Sequence, residues 1–473
     1  MSSKSYISFF GIKLIKIKKE SDLVSFIYFC GVPLFAAEKK ENVTRINLLL
    51  IYKTFKSINK RISNFMKYYR EIKIVKCKNK IKNKFKKGNT VKVCLLVTRP
   101  GTWCFDYFFR LLKNDPRFDV EIVVNPDAWY GLEMQAYYTE ETFNELTKKN
   151  YTPIKGYNAE NKSYIDLRKD IKADIIFFTD FFKPHYVDSF YITNFLDKIT
   201  LLTEYGYSVM QDEKTCAFEL NNLVDIYFRP TEIHKKMAET FMKNKGRNVC
   251  VVGSPKLDVR FDEHYVPEDV WKEQPHRKKR IIWAPHHADD MPANMYRNNA
   301  FWEIYDFMLE LADKYKNDIQ FVFRPHPLLK VFMTKKWGKV RTEEYYERWN
   351  LKENTQYFDG NFVDLFMTSD AMIMDSCSFR AEYTSFDKPL FLTLTKTSRV
   401  KHNDFGNLLN EIFYETKDNL KDDIINFIDE VVLKGNDSLA EERHAFVEKH
   451  FSKINGKTAS ENIYETLVNY LES

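Results

Sequence analysis

Three short stretches of the sequence place side chains suited to phosphate chemistry directly after a run of apolar residues. They read APHH at 284–287, RPHP at 324–327 and DSCS at 375–378. An imidazole can donate a hydrogen bond or a proton near neutral pH, and a guanidinium carries a permanent forked charge. Serine hydroxyls that open a helix lie beside free N–H groups, which favour an anion. These residue types together indicate a site for a phosphate group.

Each stretch taken alone also has an ordinary structural explanation. A histidine after a strand is commonly a loop residue, and Asp-Ser-Cys-Ser is commonly a helix N-cap. The apolar runs are typical of buried parallel strands, however, and ligands bind outside the carboxyl ends of such strands. Since three strand ends of one lobe carry these residues, we interpret them as one site. The candidate pyrophosphate-binding residues are His286, Arg324, Ser376 and Ser378, with Glu382 one turn further on to accept from ribose hydroxyls, and His326 beside them as a catalytic candidate.

The rest of the chain predicts the elements that must position this site. After residue 88, apolar strands alternate with helical segments, first from 91 to 253 and again from 280 onward, with a polar linker at 254–279. Continuous apolar strands belong in parallel sheets covered on both faces. We therefore predict an α/β protein with two Rossmann-like lobes, at 89–260 and 261–473, and a cleft between them. The sequence contains neither GxGxxG nor a P-loop motif, so a dinucleotide or P-loop site has no support.

Residues 1–88 predict an accessory segment of a different kind. The stretch YISFFGIKLIKIKKE at 6–20 is echoed at 26–41, which suggests a repeated strand and glycine turn. From 46 to about 70 the apolar residues recur at helical spacing, with lysine and arginine between them. Residues 51–90 carry 14 lysines and arginines against the single acid Glu71. We interpret this basic amphipathic segment as binding an anionic membrane surface, ahead of simple packing on the main body and of RNA binding.

Composition restricts the class of protein further. The chain has 473 residues, 44% hydrophobic and 29% charged, as in soluble globular proteins. Seven scattered cysteines without a CxxC pair are typical of a reducing compartment. The net charge of +7 is concentrated before residue 90, which argues against a nucleic-acid groove across the main body. With neither a signal peptide nor a membrane span in the sequence, we expect a cytoplasmic protein that is peripheral on the inner face of the cell membrane.

At this point the sequence resembles a known family. The RPHP stretch, the strand end WAPHH and the segment SDAMIMDSCSFRAEYTSFDKPLFL at 369–392 look like the CDP-glycerol glycerophosphotransferase family. Its members build teichoic acids and related capsule polymers and have a two-lobed GT-B fold. The resemblance covers roughly 91–392 and implies that the C-terminal lobe holds a CDP-linked polyol. By motif match, His326 would contact or protonate the donor phosphate, and Ser376 and Ser378 would hold the pyrophosphate.

The sequence departs from the family at one place in the first lobe. Members usually carry a Trp-His-Gly-Thr stretch whose histidine is a candidate base, whereas this chain has Thr203-Glu204-Tyr205-Gly206-Tyr207. Three residues are candidates to replace that histidine as the base. They are Glu204, His185 and His287, and each of them has a structural alternative.

These observations lead to a proposed reaction and two alternatives. An acceptor hydroxyl on a glycan or polyol-phosphate chain would attack the β-phosphorus of a CDP-linked polyol, and CMP would leave. No acidic pair of the DxD type stands at a strand end, so we predict that no metal ion or other cofactor is needed. The first alternative is a GT-B glycosyltransferase that uses a nucleotide sugar for capsule or lipopolysaccharide synthesis. The second is an assembly protein that kept the fold and lost activity.

Overall fold

The computed structural model describes residues 4–9, 12–19, 24–29, 32–40, 43–46, 68–129, 131–204, 206–210, 213–287, 299–375, 379–396, 398 and 401–473. The chain divides into two compact units, residues 1–80 and residues 81–473. Each unit is described on its own below.

The first unit contains an antiparallel sheet of five strands in the order β1-β2-β3-β4-β5. The strands are β1 (Lys4–Phe9), β2 (Ile12–Lys19), β3 (Val24–Phe29), β4 (Val32–Lys40) and β5 (Val43–Ile46). The two sequence repeats each form a hairpin, and an irregularity in register occurs after Ile7 in one and after Ile27 in the other. The helix predicted from 46 to about 70 falls mostly on 47–67, outside the described residues, and a helix α1 covers 68–86.

The first lobe of the larger unit is built on a seven-stranded sheet in the order β14-β13-β12-β11-β6-β7-β8, with all strands parallel. Its strands are β6 (Val91–Val97), β7 (Phe118–Val124), β8 (Ile154–Lys155), β11 (Ile175–Phe178), β12 (Ile199–Thr203), β13 (Ile226–Arg229) and β14 (Val249–Val251); β9 (Tyr157–Asn158) and β10 (Ser163–Tyr164) form a separate hairpin. Its helices are α2 (Asp106–Asn114), α3 (Leu132–Lys148), α4 (Glu213–Cys216), α5 (Glu219–Leu223) and α6 (Glu232–Phe241), with shorter 3-10 or π turns at Pro100–Thr102, Leu167–Ile171, Lys183–His185, Asp188–Phe190, Ile192–Asn194 and Pro255–Phe261.

The second lobe has a six-stranded sheet in the order β17-β16-β15-β18-β19-β20, again with all strands parallel. The strands are β15 (Lys279–Ala284), β16 (Ile319–Phe323), β17 (Thr355–Tyr357), β18 (Ala371–Met374), β19 (Leu390–Leu392) and β20 (Tyr414–Glu415). The helices are α7 (Phe301–Lys314), α8 (Pro327–Trp337), α9 (Lys339–Leu351), α10 (Phe362–Thr368), α11 (Phe379–Thr384), α12 (Asp404–Asn410), α13 (Leu420–Asn426), α14 (Ala440–Phe451) and α15 (Ala459–Glu472), with a π turn at Phe427–Leu433.

The unbroken apolar strands are explained by burial on both faces of each sheet. In β6, Val93 and Leu95 pack into one core cluster, while Cys94 and Leu96 pack into the cluster on the opposite face. All residues of β16 are buried. A strand that faces water on one side would alternate polar and apolar residues, whereas β6 and β16 each contain a single polar residue, Lys92 and Gln320. The predicted α/β fold with two Rossmann-like lobes is confirmed.

The last helix crosses back to the first lobe. In α15, Ile463, Leu467 and Leu471 pack into the core cluster that contains Phe85 of α1. The N-terminus of α15 is held by Asp258, whose carboxylate accepts hydrogen bonds from the backbone N–H groups of Ala459 (2.9 Å) and Ser460 (2.8 Å). The predicted domain boundaries stay predictions, but α15 contacts the first lobe although it lies inside the range predicted for the second.

Candidate functional site

Each parallel sheet has one point where the strand order changes direction, and the candidate residues gather there. The change falls between β6 and β11 in the first lobe and between β15 and β18 in the second. Ligands of open α/β sheets bind in the crevice at this point, outside the carboxyl ends of the strands. In the second lobe the crevice follows Ala284 and Met374, and β16 ends beside it at Phe323.

Three histidines from two strand ends of the second lobe form one cluster. The ring centroids of His286 and His287 are 4.3 Å apart, those of His286 and His326 5.0 Å, and those of His287 and His326 4.2 Å. The sequence placed these residues after separate strands, and the structure brings all three together. The backbone supports the contact, because the His326 N–H donates to the carbonyl of Pro285 at 2.9 Å.

Asp375, at the end of β18, holds the other side of this crevice. Its carboxylate accepts hydrogen bonds from the backbone N–H groups of His286 and, at 2.7 Å, of Ala300. Complete burial raises the pKa of Asp375 to about 7, and the two N–H donors oppose that rise. Asp375 therefore fixes the backbone that carries His286.

The proline after His326 has a structural reason. Pro327 is the first residue of α8, where its missing N–H would have no helical partner anyway. The N–H of Leu328 donates to the Nδ1 atom of His326 at 3.2 Å, so His326 is the N-cap of α8. Because Nδ1 accepts this bond, the neutral imidazole carries its proton on Nε2. The histidine thus presents a fixed N–H donor rather than a basic nitrogen.

Burial also sets the charge of the cluster. Desolvation lowers the pKa of His326 to about 3, with smaller contributions from His287 and from Arg99 of the first lobe. Desolvation lowers the pKa of His287 to about 4 and that of His286 well below the usual value. All three imidazoles are therefore neutral near pH 7, and the cluster offers N–H groups to an anion without itself being cationic.

Arg324 supplies the permanent positive charge. Burial lowers its pKa to about 10, so the guanidinium remains protonated at neutral pH. It donates from Nη1 to the carbonyl of Phe358 at 3.2 Å and lies 5.7 Å from the ring centroids of both Phe358 and Phe379. This arrangement orients the cation at the end of β16.

Among the described residues, the same three histidines are a group that could hold a metal ion. Their ligand atoms lie within 4.8 Å of one another. A metal-bound imidazole normally donates a hydrogen bond from its second nitrogen. In His326 that second nitrogen, Nδ1, instead accepts from Leu328. The geometry thus fits a metal poorly, and metal independence stays a prediction.

Of the remaining donor-site candidates, Ser376 and Ser378 lie outside the described residues. Glu382 in α11 is buried, and desolvation raises its pKa to about 7. Its carboxylate lies against the first lobe: a Cβ atom on Gly206 would approach Glu382 Oε1 to 2.7 Å. Gly206 therefore allows the backbone to approach this carboxylate closely. The ribose contact assigned to Glu382 stays a prediction.

Glu204, the candidate base of the first lobe, lies in a buried ion pair. Its carboxylate accepts from the guanidinium of Arg229 and from the hydroxyl of Tyr227, both on the neighbouring strand β13. Glu204 is 7% exposed and Arg229 is 2% exposed. A carboxylate that neutralises a buried cation is poorly placed to accept a proton from a substrate.

A second polar group lies at the strand ends of the first lobe, and the sequence identified only His185 of it, as a candidate base. Arg99 follows β6 and donates from Nε to Asp127 Oδ2 at 2.7 Å. Asp180 follows β11, and its carboxylate is hydrogen-bonded to Nδ1 of His185. The sequence does contain a signal for this group, namely polar residues directly after an apolar run. The same signal identified the site of the second lobe.

Comparison with known protein families gives a match over most of the chain. The family described as CDP-Glycerol:Poly(glycerophosphate) glycerophosphotransferase matches residues 163–469, more than half of the chain. No curated protein sequence matches the chain significantly.

Solved structures share the fold at low sequence identity. The S. aureus MnaA–UDP structure is 14% identical with a TM-score of 0.51, over 81% of this chain and 97% of that one. A UDP-N-acetylglucosamine 2-epimerase is 15% identical with a TM-score of 0.50, over 80% and 96%. A variant of the wall teichoic acid polymerase TagF is 14% identical with a TM-score of 0.46, over 87% and 98%. The first two likenesses support the two-lobed GT-B fold and nothing finer.

Replacing Glu204 by alanine should mainly destabilise the fold. The change leaves Arg229 buried without its anion, which costs about 3–5 kcal/mol. We expect a lower urea midpoint, and a double variant that adds Arg229→Met should regain most of the loss because the buried charge is gone. Glu145→Ala, which breaks the exposed pair with Lys148, is the control and should change stability by less than about 1 kcal/mol. A Glu204→Ala protein with the wild-type urea midpoint and lost activity would instead support a catalytic role.

Proposed function

The chain belongs to the CDP-glycerol:poly(glycerophosphate) glycerophosphotransferase family, and on this premise we propose that it transfers a polyol phosphate from a CDP-linked donor to an acceptor hydroxyl, releasing CMP. Glycerol phosphate is the first candidate for the transferred group. The acceptor is a cell-envelope polysaccharide or a teichoic-acid-like polymer. The observation that carries the proposal is the convergence of His286, His287 and His326 at the crevice of the second lobe, with Arg324 directly after the neighbouring strand β16.

The donor diphosphate suits this group of side chains. A diphosphate has many acceptor oxygens, and the neutral imidazoles with Arg324 offer N–H donors and one fixed positive charge. Buried donors that are already oriented are worth more against a developing charge than donors in water. Ser376 and Ser378 are proposed to hold the pyrophosphate ahead of α11, and Glu382 to accept from the ribose.

The proposed reaction is an in-line displacement at the β-phosphorus. The acceptor oxygen forms a new P–O bond, and the bond to CMP breaks with its electron pair on the leaving oxygen. His326 Nε2–H and Arg324 would stabilise the charge that develops on CMP, while His287 borders the reacting phosphate. Positioning and electrostatics supply most of the rate in such transfers.

A nucleotide-sugar glycosyltransferase is the second candidate. The observation that favours it is the fold likeness to the MnaA structure solved with UDP, because the same lobe and Glu382 could hold a different nucleotide. The two candidates differ in the nucleotide that is released.

Incubating the purified chain with CDP-glycerol, CDP-ribitol, UDP-sugars and CMP-sugars separates them. We expect CMP release from a CDP-polyol that depends on added polymer acceptor and is unchanged by EDTA, because the imidazole cluster fits a metal poorly. The measurement is nucleotide release by chromatography. UDP release from a UDP-sugar would favour the glycosyltransferase, and strict Mg²⁺ dependence would contradict the metal-free mechanism.

Replacing His326 by asparagine separates its two roles. The asparagine oxygen can still accept from Leu328 N–H and cap α8, so we expect thermal stability close to wild type. The Nε2–H donor is lost, and transfer should fall about 100-fold or more. Circular dichroism melting and CMP release are the measurements, with exposed His264→Asn as the control. An active His326→Asn enzyme would remove this residue from the mechanism.

The basic segment at the N-terminus is proposed to hold the protein on an anionic membrane surface. Among the described residues, no helix is long and apolar enough to cross a bilayer. Removal of residues 1–80 is the suitable test, since Ile81 and Phe85 belong to the core of the larger unit. We expect the truncated protein to leave the membrane fraction of cells, as the full chain should do in high salt. Retention of the truncated protein on the membrane would contradict the proposal.

A further inference from the structure

The first lobe contains a histidine–aspartate pair at its own crevice. Asp180 is 1% exposed, and one of its carboxylate oxygens is hydrogen-bonded to Nδ1 of His185. The other carboxylate oxygen accepts from the Phe182 N–H at 2.9 Å, and the Asp180 carbonyl accepts from the Tyr186 hydroxyl at 2.6 Å. These contacts prevent the carboxylate from turning away, so it fixes the orientation of the imidazole.

The second nitrogen of this imidazole is available to a ligand. Nδ1 donates to Asp180, so the neutral ring has its lone pair on Nε2. Within the described part of the chain, Nε2 has no hydrogen-bond partner, and the His185 side chain is 15% exposed. A lone pair on an oriented, partly exposed imidazole is the arrangement that general-base catalysis requires.

Contacts connect this pair to the phosphate site of the second lobe. Arg99 pairs with Asp127, whose carboxylate also accepts from the Trp129 N–H at 3.0 Å. The ring centroid of Trp129 is 5.0 Å from that of His185. At the other end, Arg99 is close enough to His326 to lower the pKa of that residue. His185 thus lies at the strand-end edge of the first lobe, in the same series of contacts as Arg99.

Trp129 gives this wall an apolar surface beside the polar groups. The indole is 47% exposed, and its centroid lies 6.3 Å from that of Phe182. An exposed aromatic ring beside directed polar groups suits the face of a sugar or polyol, whose C–H surface packs on the ring while its hydroxyls reach the polar side chains.

We propose that His185, oriented by Asp180, is the catalytic base for the acceptor, and that Trp129 binds the sugar or polyol that carries the reacting hydroxyl. This inference rests on the proposed function. The hydroxyl proton moves to His185 Nε2 as the acceptor oxygen bonds to the β-phosphorus and the bond to CMP breaks. The imidazolium is stabilised by the Asp180 carboxylate and afterwards releases its proton to water. Asp180 is a positioning residue in this step.

The other two candidate bases are less suited to this step. Glu204 is neutralised by Arg229, as described above. His287 lies in the buried cluster, and among the described residues no carboxylate pairs with its ring to stabilise an imidazolium. His185 combines an available nitrogen, an anionic partner and an exposed edge.

His185→Gln tests the base while preserving the fold. The glutamine amide can still donate to the buried Asp180 carboxylate but cannot take a proton. We expect kcat to fall on the order of 10²–10⁴-fold, with the Kd for CDP-glycerol unchanged in calorimetric titration of the full chain. Asp180→Asn should also lower kcat and leave the Kd for CDP-glycerol unchanged. Added imidazole should partly restore turnover in His185→Ala.

A matched control exists on the surface. His444 forms a hydrogen bond from Nδ1 to Asp387 at 2.7 Å and its side chain is 63% exposed, so it reproduces the pair outside any crevice. His444→Gln should retain wild-type kinetics.

Wild-type kcat in His185→Gln overturns the base assignment. If the wild type turns over no CDP-polyol, the proposed function fails instead, and the same variants are then compared with the donor that is active.

Trp129→Ala tests the acceptor contact, with binding affinity rather than turnover as the readout because the indole also borders His185. The side chain is exposed, so its truncation should not affect folding. We expect the acceptor KM, and the Kd for a poly(glycerol phosphate) oligomer, to rise about 10-fold with the donor Kd unchanged, and Trp129→Phe to restore part of the loss. Unchanged acceptor affinity in Trp129→Ala overturns this half of the inference.

Discussion

In the seven-stranded and six-stranded sheets every strand runs parallel to its neighbours, so the carboxyl ends of each sheet lie along one edge. This constraint determines where chemistry can occur. The central strands are buried and mainly apolar on both faces, so most polar residues that could bind or react follow the strand ends. His286, His326 and Asp375 obey this rule in the second lobe, and Arg99 and Asp180 obey it in the first.

The histidines at the two sheet edges have different surroundings. In the second lobe three histidines are buried against one another, and desolvation keeps them neutral. At the strand ends of the first lobe the imidazole of His185 contacts a carboxylate. A buried neutral ring is a hydrogen-bond donor with little tendency to take up a proton, whereas a ring whose Nδ1 is bonded to a carboxylate presents the lone pair of its other nitrogen. The surroundings of each histidine, more than its position in the sequence, therefore assign its role.

Much of the second lobe was predictable because its signals are local. The runs that form β15, β16 and β18 are unbroken, and the residue types that end them are visible in the sequence. Helices α8 and α9 were not predicted, although the RPHP stretch indicates where α8 begins. Pro327 is the first residue of α8 and His326 is its N-cap. Ser376 and Ser378 lie outside the described residues, so their part of the prediction stays open.

The first lobe was harder to predict because its key contacts are set by tertiary structure. Glu204 resembles a free carboxylate in sequence, and only the pairing of β12 with β13 places Tyr227 and Arg229 beside it. The contact between α15 and the first lobe likewise depends on Asp258, about two hundred positions away in the chain.

The pair of Asp180 and His185 shows how a short turn can escape pattern analysis. The 3-10 turn at Lys183–His185 brings the imidazole back to the strand end that precedes it. No periodicity marks such a turn, and the sequence shows only an aspartate and a histidine five residues apart. Once the turn is formed, burial of the carboxylate makes the contact strong, because an isolated buried anion is costly and the imidazole N–H is its side-chain partner. The same contact stabilises the fold and, in the proposed mechanism, prepares Nε2 to take a proton. The proposed base then lies at this edge, one strand before the position at which family members carry a histidine.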